Sequence, residues 1–251
     1  MASAAARPPR CSTSSERLIR IVPETGSTNA DLAAQIAAGE YVREGDWLIA
    51  DRQTAGRGRL GREWRDGAGN FMGSTVVHLR AGDPSPETLA LLAGLAVHEV
   101  VAPRVRAPVT LKWPNDVLVE GAKLAGVLLE RTGDAVIVGI GVNLASAPEV
   151  ADRTTVSLPD LGAEVPRDAF ADLLELQFAT ELDRWRSFGL APVVARWTVA
   201  GHPLGTLLSV DEPDGSRLDG SFAGLTDTGA LQLRLADGAV HVIHAGEVRI
   251  A

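Results

Sequence analysis

The chain has 251 residues, 45% of them hydrophobic, and a formal net charge of −8. That length can bury a full core and allows one large unit plus a small one. The acidic balance argues against a broad basic face for nucleic acid, the single cysteine (Cys11) excludes an intramolecular disulfide, and no apolar run is long enough to cross a membrane as a helix, all as expected of a soluble cytoplasmic protein.

In chain order, residues 1–17 are rich in Ala, Pro, Ser and Arg without an apolar stretch, so a disordered tail is expected rather than a secretory signal. Ile19 to Val22 is a short strand and Pro23 to Gly26 a turn. Thr28 with Asp31 three residues on resembles a capping box, opening an Ala/Leu/Ile helix that ends at Gly39. Trp47 to Ala50 is an apolar strand leading into a loop over Gln53–Trp64. Asn70 to Leu79 reads as a strand and Pro86 to Ala102 as an apolar helix, in which His98 is a packed or surface residue. Val109 to Trp113 and Val117 to Val119 are strands flanking Pro114, which is expected to break the ladder and turn Asn115 and Asp116 out of it; Trp113 is assigned to the core. Strands over Leu124–Glu130 and Ala135–Val142 follow, then helices over Asp168–Trp185 and Ala191–Trp197. Hairpins with helices grouped apart indicate an α+β fold. From Leu204 to Ile250 short strands alternate with turns at Asp214-Gly215, Thr228-Gly229 and Asp237-Gly238, the pattern of a small barrel. The boundary is placed at about His202, giving a tail over 1–17, a main unit over 18–201 and a C-terminal unit over 202–251. His202, His241 and His244 show no metal-ligand spacing.

The loop reads Q-T-A-G-R-G-R-L-G-R-E-W. Gly56, Gly58 and Gly61 alternate with Arg57, Arg59 and Arg62, a composition suited to wrapping backbone N–H groups and guanidinium forks around an anion. From Asp51 to Arg65 there are five arginines and two acids, a local charge of +3 in a chain whose remainder sums to −11. A positive site in an acidic body suits a small polyanion such as a nucleotide. Only two of the 24 basic residues are lysines, Lys112 and Lys123, both in the motif region. An ammonium is a compact, mobile point charge that follows a phosphate or carboxylate where a planar guanidinium cannot, so these lysines are candidates for that task.

Four polar clusters lie at the ends of apolar runs: Ser27-Thr28-Asn29, the loop, Lys112-Trp113-Pro114-Asn115-Asp116, and Lys123-Leu124-Ala125-Gly126 with Gly139-Ile140-Gly141-Val142-Asn143. In this order and at these intervals they resemble the motifs of biotin protein ligases of the monofunctional type; the resemblance runs from about Ser27 to Asn143 by motif and, less specifically, to the C-terminus by pattern. It implies a mixed or antiparallel sheet with helices, like the catalytic domain of class II aminoacyl-tRNA synthetases, followed by an SH3-like barrel.

The chemistry that the resemblance implies has two steps. Biotin and ATP give biotinyl-5′-adenylate and pyrophosphate, and a lysine of a biotin carboxyl carrier domain then attacks the mixed anhydride. Bringing the biotin carboxylate to the α-phosphate sets two anions together, at a cost of about 4 kcal/mol at ~4 Å and an effective dielectric near 20, hence the need for cations. On this resemblance Ser27, Thr28, Asn29, Gln53, Gly56, Arg57, Gly58, Arg59 and Lys123 would hold biotin. Arg57, Arg59, Arg62, Trp64, Asn115, Lys123 and Asn143 would hold ATP and the adenylate, with Trp64 stacking on the nucleotide and Asn143 reading the adenine edge. Arg57, Lys112, Asp116 and Lys123 would form the catalytic set, Asp116 as a base or an orienting group, or simply as an ion-pair partner of the two lysines. Mg²⁺ would arrive on the phosphates near Asn115. The loop from Gly56 to Glu63 is expected to be disordered when empty and ordered by ligand. The rivals are a lipoate or octanoate ligase on the related fold and an arginine–glycine nucleic-acid binder. A monomer or weak homodimer without DNA is expected, since too few residues precede the main unit for a helix-turn-helix.

Overall fold

The computed structural model describes residues 18–65, 67–151 and 153–250; the expected N-terminal tail lies outside them. Seven strands form one sheet: β1 (Ile19–Val22), β2 (Trp47–Ala50), β3 (Phe71–His78), β4 (Val109–Lys112), β5 (Asp116–Val119), β6 (Ala122–Thr132) and β7 (Ala135–Val142). Their spatial order is β1-β2-β3-β7-β6-β5-β4. Only β1 and β2 run parallel, because helix α1 (Thr28–Ala37) carries the chain back between them; the other neighbours are antiparallel. The central strands are buried on both faces, which accounts for their near-continuous apolar sequence where a half-exposed strand would alternate.

Helix α1 covers one face, where Leu32 packs with Leu48, Val76 and Ile137. The other face is covered by α2 (Leu89–Val101), backed by α3 (Arg167–Phe188) and α4 (Ala191–Ala200). Helix α2 lies between the sheet and two helices and is apolar almost all round, as such a position demands. Trp47 meets Phe71 and Phe178 edge-on within this core, and Trp185 donates its indole N–H to Thr88 Oγ1 at 2.9 Å.

Two local expectations need correction. The N-cap of α1 is Ser27, not Thr28: Ser27 Oγ accepts from the Ala30 amide, whereas Asp31 is engaged outside the helix by the Thr25 hydroxyl. Pro114 does not turn Asp116 out of the ladder. The Trp113–Asn115 segment closes a tight hairpin, and Asp116 opens β5 paired with Lys112 on one side and Gly126 on the other.

Five further strands form a second, antiparallel sheet: β8 (Leu207–Asp211), β9 (Arg217–Leu225), β10 (Leu231–Arg234), β11 (Val240–Ile243) and β12 (Glu247–Ile250), in the order β11-β10-β9-β8-β12. Its three hairpin turns place Gly215, Gly229 and Gly238 at φ of 88°, 82° and 87°, which only glycine adopts without strain. The two sheets share one hydrophobic core, through Trp197 against Phe222 and through the Trp113 indole N–H, which donates to Gly229 O at 3.1 Å.

Candidate active site

A cavity of ≈ 340 Å³ opens between the N-terminus of α1, the 53–64 loop, the ends of β5 to β7 and the start of β12. Every site residue expected from sequence lines it except Gly56, which packs behind: a Cβ there would sit 2.6 Å from Trp64 O. Residues 116 positions apart in the chain, Ser27 and Asn143, therefore face one space because the sheet brings their strand ends together.

At the α1 end the polar groups are buried and paired. Ser27, Thr28 and Asn29 are at most 6% exposed. Gln53 Oε1 accepts the Thr28 amide at 2.8 Å, and the Thr28 hydroxyl lies 2.7 Å from that of Ser74 on β3. Asn29 fits because Gly139 has no side chain: a Cβ at Gly139 would stand 2.3 Å from Asn29 Oδ1.

The cations sit at the opposite end. Asp116 lies between two ammonium groups, Lys123 Nζ at 2.6 Å and Lys112 Nζ at 3.3 Å. Burial works against ionisation of Asp116, yet the two lysines outweigh it and hold the carboxyl below its ordinary range. Burial is also the larger influence on Lys123, whose ammonium is pushed below the ordinary lysine value although Asp116 pulls the other way. A carboxylate so engaged braces the two ammonium groups against each other. In the loop, Arg59 donates to Asn115 Oδ1 at 3.2 Å and to Gly246 O at 3.4 Å, and Arg62 pairs with Glu247. Burial lowers Arg59 from the ordinary guanidinium value, against the pull of Asp116 and Glu247. Arg57 has no side-chain partner among the described residues, which leaves its fork free for a ligand.

Two glycines seat the tryptophan. A Cβ at Gly141 would lie 2.3 Å from the Trp64 ring, and one at Gly126 would lie 2.9 Å from Lys123 Nζ. Lys123 Nζ is 5.7 Å from the Trp64 ring centroid, within cation–π reach. Asn143 uses its amide NH₂ on Val156 O at 3.1 Å, and its Oδ1 is buried with no partner. An orphaned acceptor on the wall of a cavity is a place for a ligand donor.

This constellation has relatives. Residues 27–144 match the biotin/lipoate A/B protein ligase family and residues 211–250 the biotin protein ligase C-terminal domain. The biotin–[acetyl-CoA-carboxylase] ligase of Mycobacterium tuberculosis is 38% identical over 241 residues, spanning 92% of this chain and 88% of that one. The chain belongs to the biotin protein ligase family. The ligase of the same name from Paracoccus denitrificans is 37% identical, over 91% of this chain and 98% of its own. The biotin protein ligase of Aquifex aeolicus in complex with biotin and ATP superposes with a TM-score of 0.83 at 26% identity, covering 94% of this chain and all of that one.

In the family setting, some cavity residues had no sequence signal. Ser74, Arg153 and Glu247 all line it. Ser74 sits beside Thr75 in a mostly apolar strand, with nothing in the sequence to tell the two apart; Glu247 is brought in by the second sheet, and only its pairing with an arginine of the loop marks it. No three His, Cys, Asp or Glu side chains gather as a metal site among the described residues. Asn115, expected near the metal, donates to Val127 O at 2.7 Å and accepts from Arg59, so its amide is committed to the fold. The donor set therefore suits a metal held by nucleotide phosphates better than one caged by this biotin ligase itself. No helix among the described residues is long and apolar enough to cross a membrane.

Proposed function

We propose that the cavity takes biotin at the α1 end and ATP at the Lys123–Asn143 end, and that the chain joins them and then passes biotin to a lysine of a biotin carboxyl carrier domain. Ser27 offers a hydroxyl proton and Thr28 lone pairs, which suits the C=O and N–H of a ureido ring. Arg57 and Lys123 neutralise the biotin carboxylate and the α-phosphate as one carboxylate oxygen attacks phosphorus and pyrophosphate leaves. Trp64 covers the adenylate, and Asn143 Oδ1 takes the adenine amino group. Asp116 holds Lys123 and Lys112 in place. In the second step the carrier amine attacks the carbonyl carbon, AMP departs, and the amine proton is lost. Mg²⁺ supplies additional charge on the triphosphate when it arrives with ATP.

The observation that carries this reading is the pairing, in one cavity, of a buried hydrogen-bonding array with the unpaired Arg57 guanidinium, two lysines braced on Asp116, and one orphaned acceptor. The test is incubation with ATP, biotin and a biotin carboxyl carrier domain, read by mass and by pyrophosphate release, with lipoate in place of biotin as a second arm. One biotinyl group should appear on the carrier. Labelling with lipoate at an equal or greater rate would overturn the assignment, as would pyrophosphate release that does not depend on biotin.

A further inference from the structure

The wall of the cavity at α1 is backed by a hydrogen-bond chain that ends on a carboxylate outside the cavity. Asn29 Nδ2 donates to Glu130 Oε2 at 2.7 Å, Ser74 Oγ donates to Asn29 Oδ1 at 2.6 Å, and Ser74 Oγ lies 2.7 Å from Thr28 Oγ1. Glu130 belongs to β6 and is not among the residues that line the cavity.

An ionised carboxylate only accepts, and this settles every link after it. Asn29 must turn its NH₂ to Glu130, and so its C=O to Ser74. Ser74 has one proton and spends it on Asn29; it therefore accepts from Thr28. The Thr28 proton is directed into the wall, toward Ser74 and toward Gln53 Oε1 at 3.1 Å, so what Thr28 can offer the cavity is lone pairs. Thr28 and Asn29 are each 3% exposed and Ser74 is fully buried, which keeps water from substituting for a missing link. Gly139 leaves the passage open, since a Cβ there would collide with Asn29 Oδ1.

We infer that Glu130 is a positioning residue for the biotin subsite: acting through Asn29 and Ser74, it fixes Thr28 as an acceptor and so selects a ligand that presents an N–H at that point. The inference rests on the biotin reading of the cavity. Without the carboxylate, the Asn29 amide can turn over and Ser74 can reverse its proton. Thr28 then meets the ligand N–H with a proton of its own. Glu130 touches no ligand, so its removal acts on biotin affinity and leaves the nucleotide end alone.

The experiment measures biotin and ATP affinities by calorimetry at pH 8 for the wild type, Glu130→Leu, Asn29→Asp and the double variant Asn29→Asp/Glu130→Gln, with the thermal midpoint of each as a control on folding. Glu130→Leu is expected to weaken biotin by about tenfold or more, the scale of one lost bond to a charged group, with ATP affinity changed less than about twofold. Asn29→Asp sets two carboxylates face to face and is expected to lose roughly a hundredfold. Adding Glu130→Gln supplies an amide that donates to Asp, whose second oxygen still accepts from Ser74; the double variant should recover at least about tenfold of that loss. The inference is overturned if Glu130→Leu binds biotin as the wild type does, if biotin and ATP affinities fall together, or if the double variant binds no better than Asn29→Asp. A wild type that takes up no biotin would instead overturn the reading of the cavity itself, and the inference with it.

Discussion

Replacing Asp116 by Asn keeps the side-chain volume and removes the charge that two lysines share. The Asp116 side chain is 8% exposed, and those of Lys123 and Lys112 are 15% and 19% exposed. The variant leaves two ammonium groups in a half-closed pocket without a counter-charge, and breaking a buried pair in this way costs about 3–5 kcal/mol. For a chain of this size that corresponds to a fall in thermal midpoint of roughly 6–20 °C. Lys123 also loses its anchor, so adenylate formation should fall by about two orders of magnitude, the scale of one lost electrostatic contact to a transition state. Pyrophosphate release measures that step. Single-turnover transfer from pre-formed biotinyl-5′-adenylate to the carrier measures the other. A brace for Lys123 predicts that the midpoint and the first step fall together, with transfer less affected. An unchanged midpoint with full-rate pyrophosphate release, the loss being confined to transfer, would refute the bracing argument and make Asp116 the base.

Gly141→Ala places a methyl where the Trp64 ring lies, on a strand held by neighbours on both sides; we expect the ring to be expelled and the adenylate to bind at least tenfold more weakly, with biotin affinity nearly unchanged, as titration of each ligand would report. The Lys123 ammonium is pushed below its ordinary value, so in the empty enzyme the cation is lost as pH rises through that lowered value; kcat/KM for adenylation should decline on the alkaline side before an ordinary lysine would titrate, and a flat profile to about pH 10 would count against the role of Lys123. The 56–63 segment carries a free Arg57 and a strained, exposed tip at Leu60 (φ 58°), so biotin with ATP should slow its cleavage by trypsin several-fold; equal rates with and without ligands would show that ligand does not order the loop.

The site was readable where its residues are contiguous and chemically dense. Ser27-Thr28-Asn29, the Gly/Arg loop and Lys112–Asp116 each join polar groups at the end of an apolar strand, and the structure brings them to one cavity. Glycines 139 and 141 stood out in the sequence without a reason; the reason is steric, room for Asn29 and for Trp64, and appears only once the strands are paired. Ser74 and Glu130 gave no signal because each lies among other polar residues of its strand, Ser74 next to Thr75 and Glu130 next to Arg131, and is indistinguishable in sequence from a solvated position until its cross-strand partner is known. The cap fell one residue early, on Ser27, because Thr28 is drawn instead to Gln53 and Ser74. Asp116 was placed outside the ladder on the strength of Pro114, yet the hairpin closes around that proline and keeps the ladder intact beyond it.

The second sheet is part of the same argument. Arg59 is held by Gly246 O just before β12 and Arg62 by Glu247 at its start, while the Trp113 indole near Asn115 is held by Gly229 O from the β9–β10 turn. Arg62 is thus fastened by the second sheet and Arg59 by both sheets, through Asn115 Oδ1 and Gly246 O, while the third loop arginine, Arg57, is left unfastened. The division has a physical sense. A loop tethered at Arg59 and Arg62 keeps its backbone near the cavity at little further entropic cost on binding, while the unpaired guanidinium loses no protein partner when it turns to an incoming anion. The C-terminal sheet therefore helps fix the Arg59–Arg62 part of the loop and contributes Glu247 and Val248 to the cavity wall, although none of its own residues belongs to the motifs that mark the chain.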